Sequence, residues 1–160
     1  MDFRLTEEQE LLRRSVREFA ETEIRPHVRE WDEAQHFPSE IVPTLASVGL
    51  VGIQVPDQDG GAGMSATTYS ICTEELWRVD PALALSVAAP TGLCSGHILF
   101  FGTEAQKQKY LVPLARGEKI GAWGLTESTS GSDAAGMRTM AARTGSCWTL
   151  NGSKTFTTHG

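Results

Sequence analysis

The residues able to do chemistry in this sequence do not assemble into a self-contained active site. Its four histidines, His27, His36, His97 and His159, show neither HxxxH nor HExxH spacing, so no metal site is expected. Cys72, Cys94 and Cys147 are far apart, odd in number and without a CxxC pair. They read as buried, reduced thiols of a reducing compartment. No serine stands in a GxSxG elbow, and Gly131–Asp133 has no histidine near it in sequence. The glycine run Asp59–Gly63 is not GxGxxG and lacks a βαβ frame. What remains is "GAWGLTESTSGSDAAG", residues 121–136. A strand ending in Thr126-Glu127 and turning through Ser128–Ser132 would present hydroxyls and backbone N–H groups along one edge. A planar ring with carbonyl and imide edges needs such a rail against an aromatic wall. Trp123 and Phe156 could supply the wall, and Thr157 and Thr158 further hydroxyls. A solvated turn between strands has the same composition, and the residues alone leave both readings open.

The elements that must position this edge follow from patterning. With 160 residues, 40% of them hydrophobic and including four Trp and six Phe, the chain can bury a core, and wholesale disorder is not expected. A net charge of −6 with no Lys- or Arg-rich tract argues against nucleic acid as a partner. "MDFRLTEEQE" lacks the basic and apolar regions of a signal peptide, and no stretch is read as approaching the eighteen apolar residues of a membrane span. The expectation is a cytoplasmic protein with no membrane contact.

Thr6 and Gln9 have capping-box spacing ahead of an amphipathic helix over residues 5–25. Pro26 suits the first turn of a second helix, to about Gln35. Ser39 is a candidate cap for a third, closed by Gly49. Leu50–Val55 is short and apolar, and the glycines after Pro56 make a loop. Helices are expected from Ser65 to about Arg78 and over the uncharged, small-residue-rich Pro81–Phe101. Another follows from Thr103, with Pro113 ending or kinking it. From Lys119 the pattern turns to strands: "IGAWGLTE" is one, and Asn151-Gly152 is expected to turn a hairpin between Trp148–Leu150 and Lys154–Thr158. The fold class is therefore mainly α. Residues 1–118 form a helical domain, and residues 119–160 open a second, β domain that is unfinished.

Five collinear passages resemble the acyl-CoA dehydrogenase family: "LTEEQ", "LVGIQVPDQDGGAGM", "FGTEAQKQKYLVPLARGEKIGAWGLTE", "TESTSGSDAAGMRT" and "LNGSKTFTT". The fourth stands where the family has T-E-P-x-x-G-S-D, and the fifth where it has L-N-G-x-K-x-W-I-T. The resemblance implies an N-terminal orthogonal helical bundle followed by the first strands of an incomplete β-barrel domain. It implies FAD as cofactor, bound by Trp123, Leu125, Thr126, Ser132, Phe156, Thr157 and Thr158. It further implies an acyl-CoA substrate near Ser132 and Leu93, an electron transfer flavoprotein as acceptor, and a homotetramer at full length. The reaction implied is oxidation of the acyl thioester to the trans-2,3-enoyl-CoA by α-proton removal and β-hydride transfer to the flavin. No catalytic residue is assigned in this chain, because the family's glutamate base lies in its C-terminal domain; the chain alone is expected to be inactive. The uncharged Leu83–Ser95 helix, a wall of the family's acyl pocket, suggests a neutral acyl chain. Two departures stand out: Ser128 replaces the proline of E-P, and Phe156-Thr157-Thr158 replaces W-I-T. The alternatives are a non-catalytic module, and an oxidase or monooxygenase of the same superfamily.

Overall fold

The computed structural model describes residues 4–160, which divide into two units, one ending at Gly121 and one spanning Ala122–Gly160. The sequence reading of Met1–Phe3 lies outside the described residues.

The first unit is helical. Helix α1, Glu7–Phe19, starts as its sequence asks. The Thr6 hydroxyl accepts from the Gln9 N–H at 3.2 Å, and the Gln9 side chain accepts from the Thr6 N–H at 3.0 Å. Its path continues through a π turn at Ala20–Ile24. The second helix is shorter than its pattern suggested. Helix α2 covers Val28–Glu33, with Pro26 in the turn before it. A 3-10 turn at Ser39–Ile41 leads into α3, Val42–Ser47. Ser39 is the first residue of that turn and makes no side-chain cap. Gly49, at φ 76°, takes the left-handed position that ends the segment.

Helix α4, Ala66–Trp77, is capped by Ser65 and lies between α1 and α5, Pro81–Ala88. Asp80 caps α5 by accepting from the Ala82 and Leu83 N–H groups. The same helix runs on through a π turn, Ala89–Ser95, into α6, Gly96–Phe101. Pro90 has no N–H to give to the helical ladder, and the ladder widens to π spacing around it. A second capping box, Thr103 with Gln106, opens α7, Glu104–Gln106; a π turn and α8, Val112–Ala115, follow. Pro113 neither stops nor terminates this path, which reaches Ala115.

The larger of two core clusters in this unit draws on α1, the π turn after it, α3, α4 and α5, and Val55, Leu111 and Ala115 form the smaller one. Val16, Ala20, Ile24, Leu45, Cys72, Leu76, Leu83 and Val87 are all buried in the larger one. Pro81–Phe101 is 21 residues long, and by length and composition it could cross a membrane. This corrects the expectation that no stretch approaches that size. A core helix passes the same test, and Leu83, Ala84, Val87, Pro90, Thr91 and Ser95 are buried within the helical unit.

The second unit departs from two expectations. Residues 120–127 form no strand; an isolated bridge between Glu127 and Ser130 stands in its place. Gly121 and Gly124 weaken strand propensity there, and the facing segment offers one rung, Thr155 N–H to the Thr126 carbonyl at 2.8 Å. The hairpin is also elsewhere. Strand β1, Met140–Thr144, pairs antiparallel with β2, Cys147–Asn151, with Thr144 opposite Cys147. Its two-residue loop is Gly145-Ser146. Gly145 adopts φ 64°, which a primed turn demands of its first central residue. Asn151-Gly152 closes β2 instead of turning it, because Lys154 just beyond is drawn away by an ion pair described next.

Candidate functional site: a polar hub beneath a hydroxyl-rich edge

In Ala122–Gly160 the buried side chains are Glu127 and Ser130, neither of them apolar. Glu127 is the hub. Its Oε2 accepts from the Arg138 N–H at 2.7 Å, and its Oε1 accepts from the Thr139 N–H at 2.9 Å and from Lys154 Nζ at 2.8 Å. The Lys154 ammonium beside it, helped by the two backbone N–H groups, holds the Glu127 carboxyl far below the usual carboxylate range. Lys154 Nζ also donates to the Leu125 carbonyl at 2.8 Å and touches the Met137 sulfur at 3.2 Å. One ion pair thus ties residues 125–127 to 137–139 and to 154.

The turn above the hub is closed by the Glu127 N–H donating to Ser130 O at 2.7 Å. The Ser130 hydroxyl bonds the Asp133 carbonyl, and Asp133 in turn caps the 3-10 turn Ala134–Gly136 through the Gly136 N–H. Sequence reasoning gave Glu127 no role and missed Lys154. The signal was present as two opposite charges embedded in otherwise polar, uncharged runs, but 27 positions separate them, and no spacing rule pairs residues so far apart.

Of the residues expected to form the edge, the structure brings most together. Residues 124–126 run beside 154–157. A Cβ on Gly124 would meet the Lys154 stem at 3.3 Å and the Thr157 hydroxyl at 3.5 Å, and Thr155 is bonded to Thr126. Leu125, Thr126, Thr157 and Thr158 are half-buried, as is Trp123. Phe156 is 94% exposed and sits at φ 55°, a left-handed conformation that an aromatic residue rarely takes. Ser132 lies on the exposed loop beyond the turn. Leu93, 40% exposed, belongs to the π turn of the helical unit.

The edge has a defined chemical character. The carbonyls of Leu125 and Thr126 are occupied by Lys154 and Thr155. The N–H groups of both residues and the Thr126 hydroxyl have no partner among the described residues. Such an edge suits a ligand that presents carbonyl oxygens or ring nitrogens. A flavin's pyrimidine rim is of that kind, so the residues present fit it. No cluster of three or more His, Cys, Asp or Glu placed to hold a metal occurs among the described residues.

Residues 6–118 match the family model of the acyl-CoA dehydrogenase N-terminal domain. The chain belongs to the acyl-CoA dehydrogenase family. It is 49% identical to a short-chain specific acyl-CoA dehydrogenase of Clostridium acetobutylicum, over all of this chain and 42% of that protein. It is 40% identical to CarC, a subunit of the caffeyl-CoA reductase-Etf complex of Acetobacterium woodii, over 96% of this chain and 41% of that protein. The structure of a glutaryl-CoA dehydrogenase from Mycobacterium smegmatis in complex with FADH2 superimposes with a TM-score of 0.90 at 36% identity, over 96% of this chain and 39% of the other. The chain therefore spans about two-fifths of the length of these acyl-CoA dehydrogenase relatives.

Proposed function

We propose that this chain supplies part of the flavin and acyl-thioester site of an FAD-dependent acyl-CoA dehydrogenase acting on a CoA thioester with a short, uncharged acyl chain. The observation that carries the reading is the donor edge at Leu125 and Thr126, beside Thr157, Thr158 and the outward-facing Phe156, in a chain of this family. Bound FAD would supply a hydride acceptor. The chain's own part is to hold and orient: Leu125 and Thr126 donate to the ring's acceptor rim, Phe156 offers an aromatic face, and Trp123 contributes to the wall. Ser132 and Leu93 are the contacts proposed for the acyl-CoA.

General-base work is not assigned within Ala122–Gly160. Glu127 is buried, paired and held ionised, so it is a poor proton acceptor, and Asp133 is engaged as a turn cap. Three findings support the choice of substrate and acceptor. Pro81–Phe101 carries no Asp, Glu, Lys or Arg that would pair with a second carboxylate, and a relative 49% identical is named short-chain specific. A relative named as a subunit of an Etf complex supports an electron transfer flavoprotein as acceptor.

The test is purification of the full-length gene product, followed by anaerobic titration with butyryl-CoA and with glutaryl-CoA. Retained flavin absorbance that butyryl-CoA bleaches, and glutaryl-CoA does not, is the expected result. A protein that holds no flavin when reconstituted with FAD would overturn the assignment.

A further inference from the structure

We infer that the Glu127–Lys154 pair is a positioning device: it caps the acceptors of the 125–126 backbone and fixes the 154–158 segment beside it, leaving the Leu125 and Thr126 N–H groups as the backbone groups those two residues offer to a ligand. The inference rests on the flavin reading above and adds to it the residues that build the edge without touching the ligand.

The argument starts from what an unpaired stretch of backbone offers. Residues 122–126 lie in no regular strand, so each peptide would otherwise present both an acceptor and a donor to whatever approaches. A ligand rim rich in carbonyl oxygens is repelled by exposed carbonyls and held by N–H groups. Here the Leu125 carbonyl is taken by Lys154 Nζ at 2.8 Å and the Thr126 carbonyl by the Thr155 N–H at 2.8 Å. Lys154 can do this only because Glu127 neutralises and anchors it at 2.8 Å, and Glu127 is itself fixed by the Arg138 and Thr139 N–H groups.

Removing either charge undoes the arrangement in a different way. Without Glu127, the ammonium has no counter-ion at its half-buried position. Without Lys154, the Leu125 carbonyl faces outward and the buried carboxylate retains only its backbone donors. The same pair anchors the segment carrying Phe156. Its left-handed backbone, at φ 55°, is about 1–2 kcal/mol above the usual conformation and persists only if its neighbours hold it. The Lys154 ion pair and the Thr155 rung, two residues and one residue before Phe156, are those holds.

The test compares the full-length protein with Glu127→Gln, Lys154→Met and the charge-keeping Lys154→Arg. Three quantities are read: FAD dissociation, the position of the flavin visible band, and amide hydrogen exchange at Arg138, Thr139 and Thr155. Glu127→Gln and Lys154→Met are expected to weaken FAD binding about tenfold or more, as loss of a supporting shell does elsewhere. They should also shift the flavin band and speed exchange at the three amides, with far-UV circular dichroism unchanged. Lys154→Arg should recover part of the binding. FAD binding within about twofold of wild type and an unshifted band in both variants overturn the inference. Should a variant fail to fold, the wild-type amides decide: exchange at Arg138 and Thr139 as fast as in the exposed loop residues Gly145 and Ser146 also overturns it. If wild type holds no flavin, the functional assignment fails, and the clamp is judged on that exchange alone.

Discussion

The two units of this chain are held together by opposite means. In the helical unit most of the buried set is apolar: Val16, Ala20, Ile24, Leu45, Leu76, Leu83 and their neighbours form one continuous cluster. In Ala122–Gly160 no apolar side chain is buried, and Met140, Trp148, Leu150 and Phe156 are exposed. Order there comes from bonds that converge on one carboxylate. Hydrophobic contact is additive and tolerant of direction, whereas hydrogen bonds to a buried charge are few, directional and expensive to leave unmade. The helical unit should therefore lose stability in proportion to the volume removed from it. The second unit should respond to a single charge.

The largest effect expected from this contrast is at Leu76, fully buried at the meeting of α4 with the core. Leu76→Ala should destabilise the helical unit by about 2–5 kcal/mol, the range for leucine truncation in a packed interior. Urea unfolding followed by far-UV circular dichroism measures it. A loss below about 1 kcal/mol would mean that the interior collapses to fill the cavity, and the contrast between the units would lose its first half.

The next effect concerns a place where the helical unit uses the logic of the other. Glu75, 2% exposed, receives a bidentate pair of bonds from Arg17 at 2.8 Å each, with the Arg78 guanidinium at 3.5 Å. The Arg17 hydrogen bonds, opposed by partial burial, hold the Glu75 carboxyl below its ordinary value. The folded-state pKa is thus lower than the unfolded one. The pair's contribution is present above the ordinary glutamate pKa of about 4.3 and fades as pH falls through the depressed folded value. Arg17→Met should lower Tm by several degrees at neutral pH. The gap between variant and wild type should narrow steadily in acid, below the ordinary glutamate range. A gap that stays constant across that titration would mean that Arg17 acts through its aliphatic stem rather than its charge.

How far the sequence anticipated each region follows the same division. Both capping boxes, the Ser65 start of α4 and the extent of Pro81–Phe101 were legible, because caps and helical periodicity are rules about residues a few positions apart. The π turns were not legible, since they answer to packing and, at Pro90, to a missing donor. In the second unit the local rules misled. Asn151-Gly152 is the stronger turn dipeptide, yet Gly145-Ser146 makes the turn, because Lys154 is held by Glu127 and the stretch beyond Gly152 cannot fold back as a strand. The candidate edge was legible as residue types, and the resemblance gave it an expected role toward a flavin. Its donor character depends on which carbonyls are occupied, and that is set by contacts 29 positions apart.

A smaller effect tests that reading of the turn. Gly145→Ala places a Cβ on a residue at φ 64°, which costs about 1–2 kcal/mol in local conformational energy. The space around it is open, so no clash adds to that figure. Cross-strand contacts between Thr144 and Cys147, followed by NMR, should weaken. The same substitution at Asn151 should leave the β1–β2 register intact. Loss of the register by Asn151→Ala instead would return the turn to Asn151-Gly152.

The smallest perturbation is one that leaves the fold untouched and reads the contrast directly through its three thiols. Cys72 is buried in the apolar core, and burial pushes its thiol up to about 11, so little reactive thiolate exists at neutral pH. Cys94 is half-buried and also raised by burial. Cys147 opens β2, where every residue is exposed. Brief alkylation of the native protein, read by peptide mass spectrometry, should label Cys147 first, Cys94 more slowly and Cys72 last. Denaturant should then remove the difference, since all three become equally accessible in an unfolded chain. Early labelling of Cys72 in the native state would mean that the core opens on the timescale of the reaction. The helical unit would then be the less stable of the two, reversing the order that its apolar packing predicts.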